Sequence, residues 1–146
     1  MTGKLPALHL TVQYAVKDES LPARGEVRKW VRAAHDGAAE LTVRFVDAEE
    51  GRDLNSRYRG KRHPTNVLTF PYARAPLLQG DLALCVPVVL GEAAAQGKPV
   101  SAHFAHLVVH GILHLQGHDH ETDADALVME RKEREILSRL GFPDPY

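Results

Sequence analysis

The 146-residue sequence predicts a single α+β domain, and three observations carry that reading. Four short segments alternate apolar with polar residues or are otherwise β-prone, as half-buried strands do. Between and after them, apolar residues recur at spacings of three and four, as on amphipathic helices. The first two strand segments flank one such helix, and a strand, helix, strand order favours parallel pairing through a right-handed crossover.

The first strand is Leu8 to Val16, where Leu8, Leu10, Val12, Tyr14 and Val16 alternate with His9, Thr11, Gln13 and Ala15. Ser20-Leu21-Pro22 opens a helix whose apolar stripe is Ala23, Val27, Trp30, Val31 and Ala34, with Gly37 closing it. Trp30 reads as core. Leu41, Val43 and Phe45 give a second strand ending near Asp47, and Ala48 to Tyr58 is helix-tolerant, with Leu54 and Tyr58 expected as its buried pair. Arg57 to Pro64 is strongly basic and, punctuated by Gly60 and Pro64, is expected to be a loop. Asn66 to Pro71 reads as an edge strand stopped by proline, Ala73 to Gln79 as a loop, and Gly80 to Val86 as a strand with Cys85 a small buried hydrophobe. Val88 to Ala95 is a short helix ending at Gly97, and Pro99-Val100-Ser101 leads into a longer one. Thr122-Asp123-Ala124-Asp125 caps a last helix with the stripe Ala126, Met129, Ile136, Leu137 and Leu140, ended by Gly141 and followed by a short tail.

With 44% hydrophobic and 25% charged residues the chain has a globular composition, and its length can bury a core without disulfides. A net charge of −1 gives no global field for nucleic acid, so any such site is local. Cys85 is the one cysteine, which points to a reducing compartment. Met1 to Leu10 has no signal-peptide pattern and no apolar run would span a bilayer, so a cytoplasmic protein without a membrane partner is expected.

The chemistry is concentrated in His110-Gly111-Ile112-Leu113-His114-Leu115-Gln116-Gly117-His118-Asp119-His120. On a helix, His110 and His114 lie one turn apart and can aim at one ion. His103, His106, His110 and His114 fall within roughly 80° of arc at about 100° per residue, so they share a face. Gly117 can take a positive φ and turn the chain, after which His118 or His120 can return as a third ligand. Three imidazoles with an open fourth position make a catalytic rather than a structural zinc site. The spacing is that of the metzincin proteases, but Gly111 stands where those enzymes carry their glutamate base.

Two segments together resemble the YbeY endoribonucleases. Asn55 to Pro71, with Tyr58-Arg59-Gly60-Lys61 and Pro64-Thr65-Asn66-Val67-Leu68-Thr69-Phe70-Pro71, is similar to one conserved sequence of that family. His103-Phe104-Ala105-His106, followed by His110 to His120, is similar to its signature H-x-x-H-x-x-x-H-G-x-L-H-L-x-G-[YF]-D-H, and Gly80-Asp81-Leu82 to its G-D-[IL] strand. The resemblance implies a mixed, mostly parallel four-stranded sheet with packed helices, distantly zincin-like. It implies one zinc ion on His110, His114 and His120, with His103, His106, His118 and Asp119 as candidate supports around the ligands. His118 occupies the position that is usually aromatic in the family. It further implies a single-strand-specific endoribonuclease that matures ribosomal RNA, chiefly the 3′ end of the small-subunit RNA, and takes part in ribosome quality control. Single-stranded RNA, ribosomal RNA and the small ribosomal subunit are then the expected partners, and DNA is not.

Arg59 matches an arginine important to the family's function and is the candidate clamp for phosphoryl oxygens, with His114 the other expected catalytic residue. Arg57, Lys61 and Arg62 would track the RNA backbone. The nucleophile is either zinc-activated water or the RNA 2′-OH, the latter leaving a cyclic phosphate. Two other classes compete. A metalloprotease would need Asp119 or Glu121 to replace the missing glutamate, and a non-catalytic assembly factor would use zinc structurally while binding RNA through Arg57 to His63.

Overall fold

The computed structural model describes residues 6–146. Its elements run β1 (Leu8–Tyr14), α1 (Arg24–Ala34), β2 (Ala39–Val46), α2 (Ala48–Arg59), β3 (Val67–Ala73), β4 (Leu78–Cys85), α3 (Val86–Gln96), α4 (Val100–Leu115) and α5 (Asp123–Arg139). The four strands form one sheet in the order β1-β2-β4-β3. β1 and β2, joined through α1, pair in parallel, as do β2 and β4, while β3 pairs antiparallel with β4 as a hairpin. This is the mixed, mostly parallel sheet of the expected α+β class.

Alternation along the strands builds the core. Val43, Phe45, Leu82 and Leu84 are buried with Phe104, Val108 and Ile112 of α4. Phe45 stacks on Tyr14 with ring centroids 5.5 Å apart and takes the edge of Phe104 at 5.6 Å. Trp30, Cys85 and Met129 are all buried, as their apolar spacing required. Burial pushes the Cys85 thiol above its ordinary pKa, which suits an inert packing residue.

α1 starts at Arg24 rather than in the Ser20 to Pro22 segment. The Pro22 carbonyl accepts the Tyr14 hydroxyl at 2.6 Å, which ties the proline down outside the helix, and Glu26 Oε1 accepts the Ala23 N–H at 3.1 Å. Gly37 does not close α1; the extended residue His35 does, with its N–H on the Val31 carbonyl. In the edge strand, Pro71 does not stop β3. The strand continues to Ala73 across a register shift between Pro71 and Ala73, and an edge position tolerates a residue with no N–H to give. β4 also begins earlier than expected, at Leu78.

α2 differs most from expectation. It extends through Arg57 to Arg59 and ends at Gly60, whose φ of 68° is left-handed, so the first three residues of the basic segment are helix. Asp47 caps its start by accepting the Glu50 N–H at 2.8 Å. Its buried residues are Gly51 and Asn55, whereas Tyr58 is 64% exposed. Gly51 is there because α2 lies close to the sheet: a Cβ would sit 3.0 Å from Cys85 Sγ. Asn55 Nδ2 donates to the His63 carbonyl at 2.6 Å and so holds the basic loop back onto the helix.

α4 packs even more tightly. A Cβ at Gly111 would lie 2.7 Å from Leu82 Cδ2. Leu82 and Cys85 point to opposite sides of β4, so α4 and α2 press on opposite faces of that strand. Gly117, with φ 106°, reverses the chain after α4, and the His118 N–H closes the turn on the Leu113 carbonyl at 3.1 Å. Thr122 caps α5 through the Asp125 N–H. The short tail packs down: Phe142 meets the edge of Trp30 at 6.1 Å, Lys98 Nζ donates to the Pro145 carbonyl, and the Tyr146 hydroxyl donates to Glu133 Oε1 at 2.7 Å.

Candidate metal centre

The helical spacing of α4 and the reversal at Gly117 bring His110, His114 and His120 together. One ring nitrogen from each lies within 4.8 Å of the other two, so the group could hold a metal ion. The ring centroids are 5.8 Å apart for His110 and His114, and 5.6 Å for each of them to His120. Of the two residues that could return after the turn, the structure brings in His120 and keeps His118 apart. Burial lowers the His118 pKa, and the Lys132 ammonium of α5 adds to that. Asp119 accepts the Glu121 N–H through Oδ1, which shapes the turn. Among the described residues, no hydrogen bond joins His118 or Asp119 to the three rings.

Beneath the cluster sits a residue the sequence did not announce. Glu133 of α5 is fully buried and accepts three hydrogen bonds: from His106 Nε2 at 2.6 Å, His110 Nδ1 at 3.1 Å and the Tyr146 hydroxyl at 2.7 Å. Burial alone would raise its pKa, but these three donors outweigh it, His106 foremost, and hold the carboxyl down at about 2. An ionised carboxylate is acceptor-only, so it favours the His110 tautomer with its proton on Nδ1, the one whose Nε2 carries the lone pair a metal needs. The signal in the sequence was position: Glu133 stands four after Met129 and four before Leu137, inside the apolar stripe of α5, where a charge needs partners. His106 therefore reaches the cluster through Glu133. His103 is turned elsewhere, with Nε2 on Glu92 Oε1 at 2.9 Å, where Asn66 also donates.

His114 is half-buried, and burial lowers its pKa first, followed by the neighbouring His110 and His120 and then the Arg59 guanidinium. The ring is thus kept neutral, the form in which imidazole donates to a metal. The same interaction places the positive end of Arg59, the last residue of α2, within electrostatic reach of the cluster. Arg57 instead pairs with Asp53 at 3.3 Å on the exposed side of α2. Lys61 is exposed beyond the helix end, and Arg62 lines a groove shared with Asp47, Glu49, Glu50 and Asp53. The basic segment therefore does not present one continuous track.

A family model described as Endoribonuclease YbeY matches residues 13–141. The chain belongs to this family. A YbeY relative from Nitrosomonas europaea is 55% identical over 139 residues, covering 95% of this chain and 85% of its own length. Another, from Aromatoleum aromaticum, is 56% identical over 142 residues, covering 95% of this chain and 92% of its own length. Both are named Endoribonuclease YbeY. In fold, the solution structure of TM1509 from Thermotoga maritima superposes with a TM-score of 0.58 at 24% identity, covering 90% of this chain and 91% of that one. Among the described residues, no helix is long and apolar enough to cross a membrane.

Proposed function

We propose that this chain is a cytoplasmic, zinc-dependent endoribonuclease that cuts single-stranded RNA and acts in ribosomal RNA maturation, chiefly at the 3′ end of the small-subunit RNA, and in ribosome quality control. The observation that carries the reading is the convergence of the imidazoles of His110, His114 and His120, with the Arg59 guanidinium near enough to help lower the His114 pKa. Family membership supports the reaction class.

The donor set suits zinc. Three imidazole nitrogen donors, with no fourth ligand grouped with them among the described residues, make the open site of a catalytic centre, and His110, His114 and His120 would hold the ion. When bound, zinc supplies a Lewis acid that also lowers the pKa of coordinated water. The chain's own residues do the rest. Glu133 holds the His110 proton at Nδ1 and fixes the ring's direction, while burial keeps His114 neutral. Arg59 would bind the phosphoryl oxygens where charge builds as the phosphodiester opens. No glutamate base exists on α4 to run peptide hydrolysis, and at Gly111, where a peptidase would carry one, even a Cβ would press on the Leu82 side chain.

Purified protein incubated with single-stranded RNA, duplex RNA and casein, with and without chelator, tests this. Cleavage of single-stranded RNA alone, lost on chelation and restored by zinc, is the expected result. RNA binding without cleavage would make the chain an assembly factor, and casein cleavage would make it a protease.

The Glu133 network gives a separate expectation. Glu133→Gln should lower zinc affinity about 10- to 100-fold, as loss of such a carboxylate partner commonly does, measured by competition with a calibrated chelator. It should also change acid stability in a known direction. A carboxylate held from 4.5 down to about 2 stabilises the fold above pH 4.5 and loses that contribution as pH falls toward 2. The variant's stability should therefore fall less steeply than the wild type's in that window, read by urea unfolding of the metal-free proteins.

A further inference from the structure

We propose that a groove beside Arg59 is a stacking subsite for one unpaired nucleobase of the RNA. The inference rests on the endoribonuclease reading and extends it to how the single strand is seated. The groove, of about 550 Å³, is lined by Leu54, Tyr58, Arg59, Phe70, Tyr72 and Asp81. It joins the end of α2 to β3, the edge strand of the sheet.

Three features select the occupant. First, Tyr58 and Tyr72 are 64% and 68% exposed, although large aromatic rings ordinarily bury most of their surface. Second, both rings are fixed in place. Tyr58 lies edge-on to Phe70 at 5.1 Å, and the Tyr72 hydroxyl donates to Asp81 Oδ2 at 2.7 Å. Rings held this way lose little freedom when a flat ligand covers them. Third, charge divides the groove. The guanidinium of Arg59 favours a phosphate at one part of the lining, while the Asp81 carboxylate repels one. An uncharged, planar group attached to a phosphate satisfies both, and that is a nucleotide with its phosphate at Arg59 and its base on the aromatic rings. A base in a duplex has its faces covered by its neighbours, so the subsite accepts only single strands. This ties strand selectivity to the same groove.

The test is single-turnover cleavage of a fluorescein-labelled single-stranded RNA by the zinc-loaded protein across a range of enzyme concentrations. This returns the half-saturating concentration and the bound-state rate separately. Tyr58→Ala and Tyr72→Ala should each raise the half-saturating concentration on the order of 10-fold, as loss of one base stack does, with the bound-state rate much less changed. Tyr58→Phe should bind nearly as wild type, because the stacking face and its contact with Phe70 are kept, and Tyr72→Phe should fall between wild type and Tyr72→Ala, because it keeps the face but loses the hydroxyl anchor on Asp81. An abasic nucleotide scanned along the RNA should weaken wild-type binding at one position, and the alanine variants should be insensitive to that substitution. Melting temperatures should stay unchanged for side chains this exposed, which separates lost stacking from lost folding. Unchanged affinity of both alanine variants, or no position at which an abasic nucleotide matters to the wild type, overturns the proposal. If the wild type does not cleave, the nuclease reading fails, yet anisotropy of the same labelled RNA still decides the subsite by the same comparisons.

Discussion

His114→Ala is expected to strip the protein of zinc and abolish RNA cleavage. His114 is the middle of the three rings in sequence and is within 6 Å, centroid to centroid, of both others. Two imidazoles without it hold the ion poorly, since a catalytic zinc site relies on three protein ligands. Metal analysis should find close to one zinc per wild-type chain and almost none in the variant. Thermal unfolding adds a second readout. A ligand that binds only the folded state stabilises it, by about 2.7 kcal/mol when present at 100 times its Kd. Added zinc should therefore raise the melting temperature of the wild type but not of the variant. Full zinc occupancy in His114→Ala would place the ion elsewhere and remove the basis of the proposed function.

Arg59→Ala should cost on the order of 10²–10³ in single-turnover cleavage rate, the usual effect of removing one preorganised donor to developing charge. Arg59→Lys keeps the charge but loses the planar, two-pronged donor, and it should recover only part of the rate. Both variants should bind zinc normally and melt as wild type, because Arg59 is an exposed residue at the last turn of α2. Near-normal cleavage by Arg59→Ala would rule out the phosphate clamp. A collapsed melting temperature would make the arginine a structural residue.

Periodicity made some of this legible in the sequence. Alternation at Leu8 to Val16 and Leu41 to Phe45 marked the strands observed at Leu8–Tyr14 and Ala39–Val46, and the shared face of His103, His106, His110 and His114 followed from their spacing on α4. Where the chain is not periodic, spacing had nothing to say. After Gly117 the backbone could have returned His118 or His120, and only tertiary placement separates the ring beside its partners from the one near Lys132. The buried face of α2 was missed for a related reason. Close approach to β4 selects a residue without a side chain, Gly51, and an anchoring amide, Asn55, neither of which carries a hydrophobic signal. Glu133 was passed over because it is one of five acids on a largely polar helix, and only its place in the apolar stripe set it apart; its three donors, from α4 and the tail, come from elsewhere in the chain.

The contact between Gly111 and Leu82 also bears on how this scaffold can change over evolutionary time. The histidine spacing is one glutamate short of a peptidase motif, which suggests a single-step route between the two chemistries. The 2.7 Å approach obstructs that route, since the added Cβ would meet the buried side chain of Leu82, which would have to give way. Crossing from one hydrolase to the other thus couples the gain of the base to a change at Leu82, on the strand beneath.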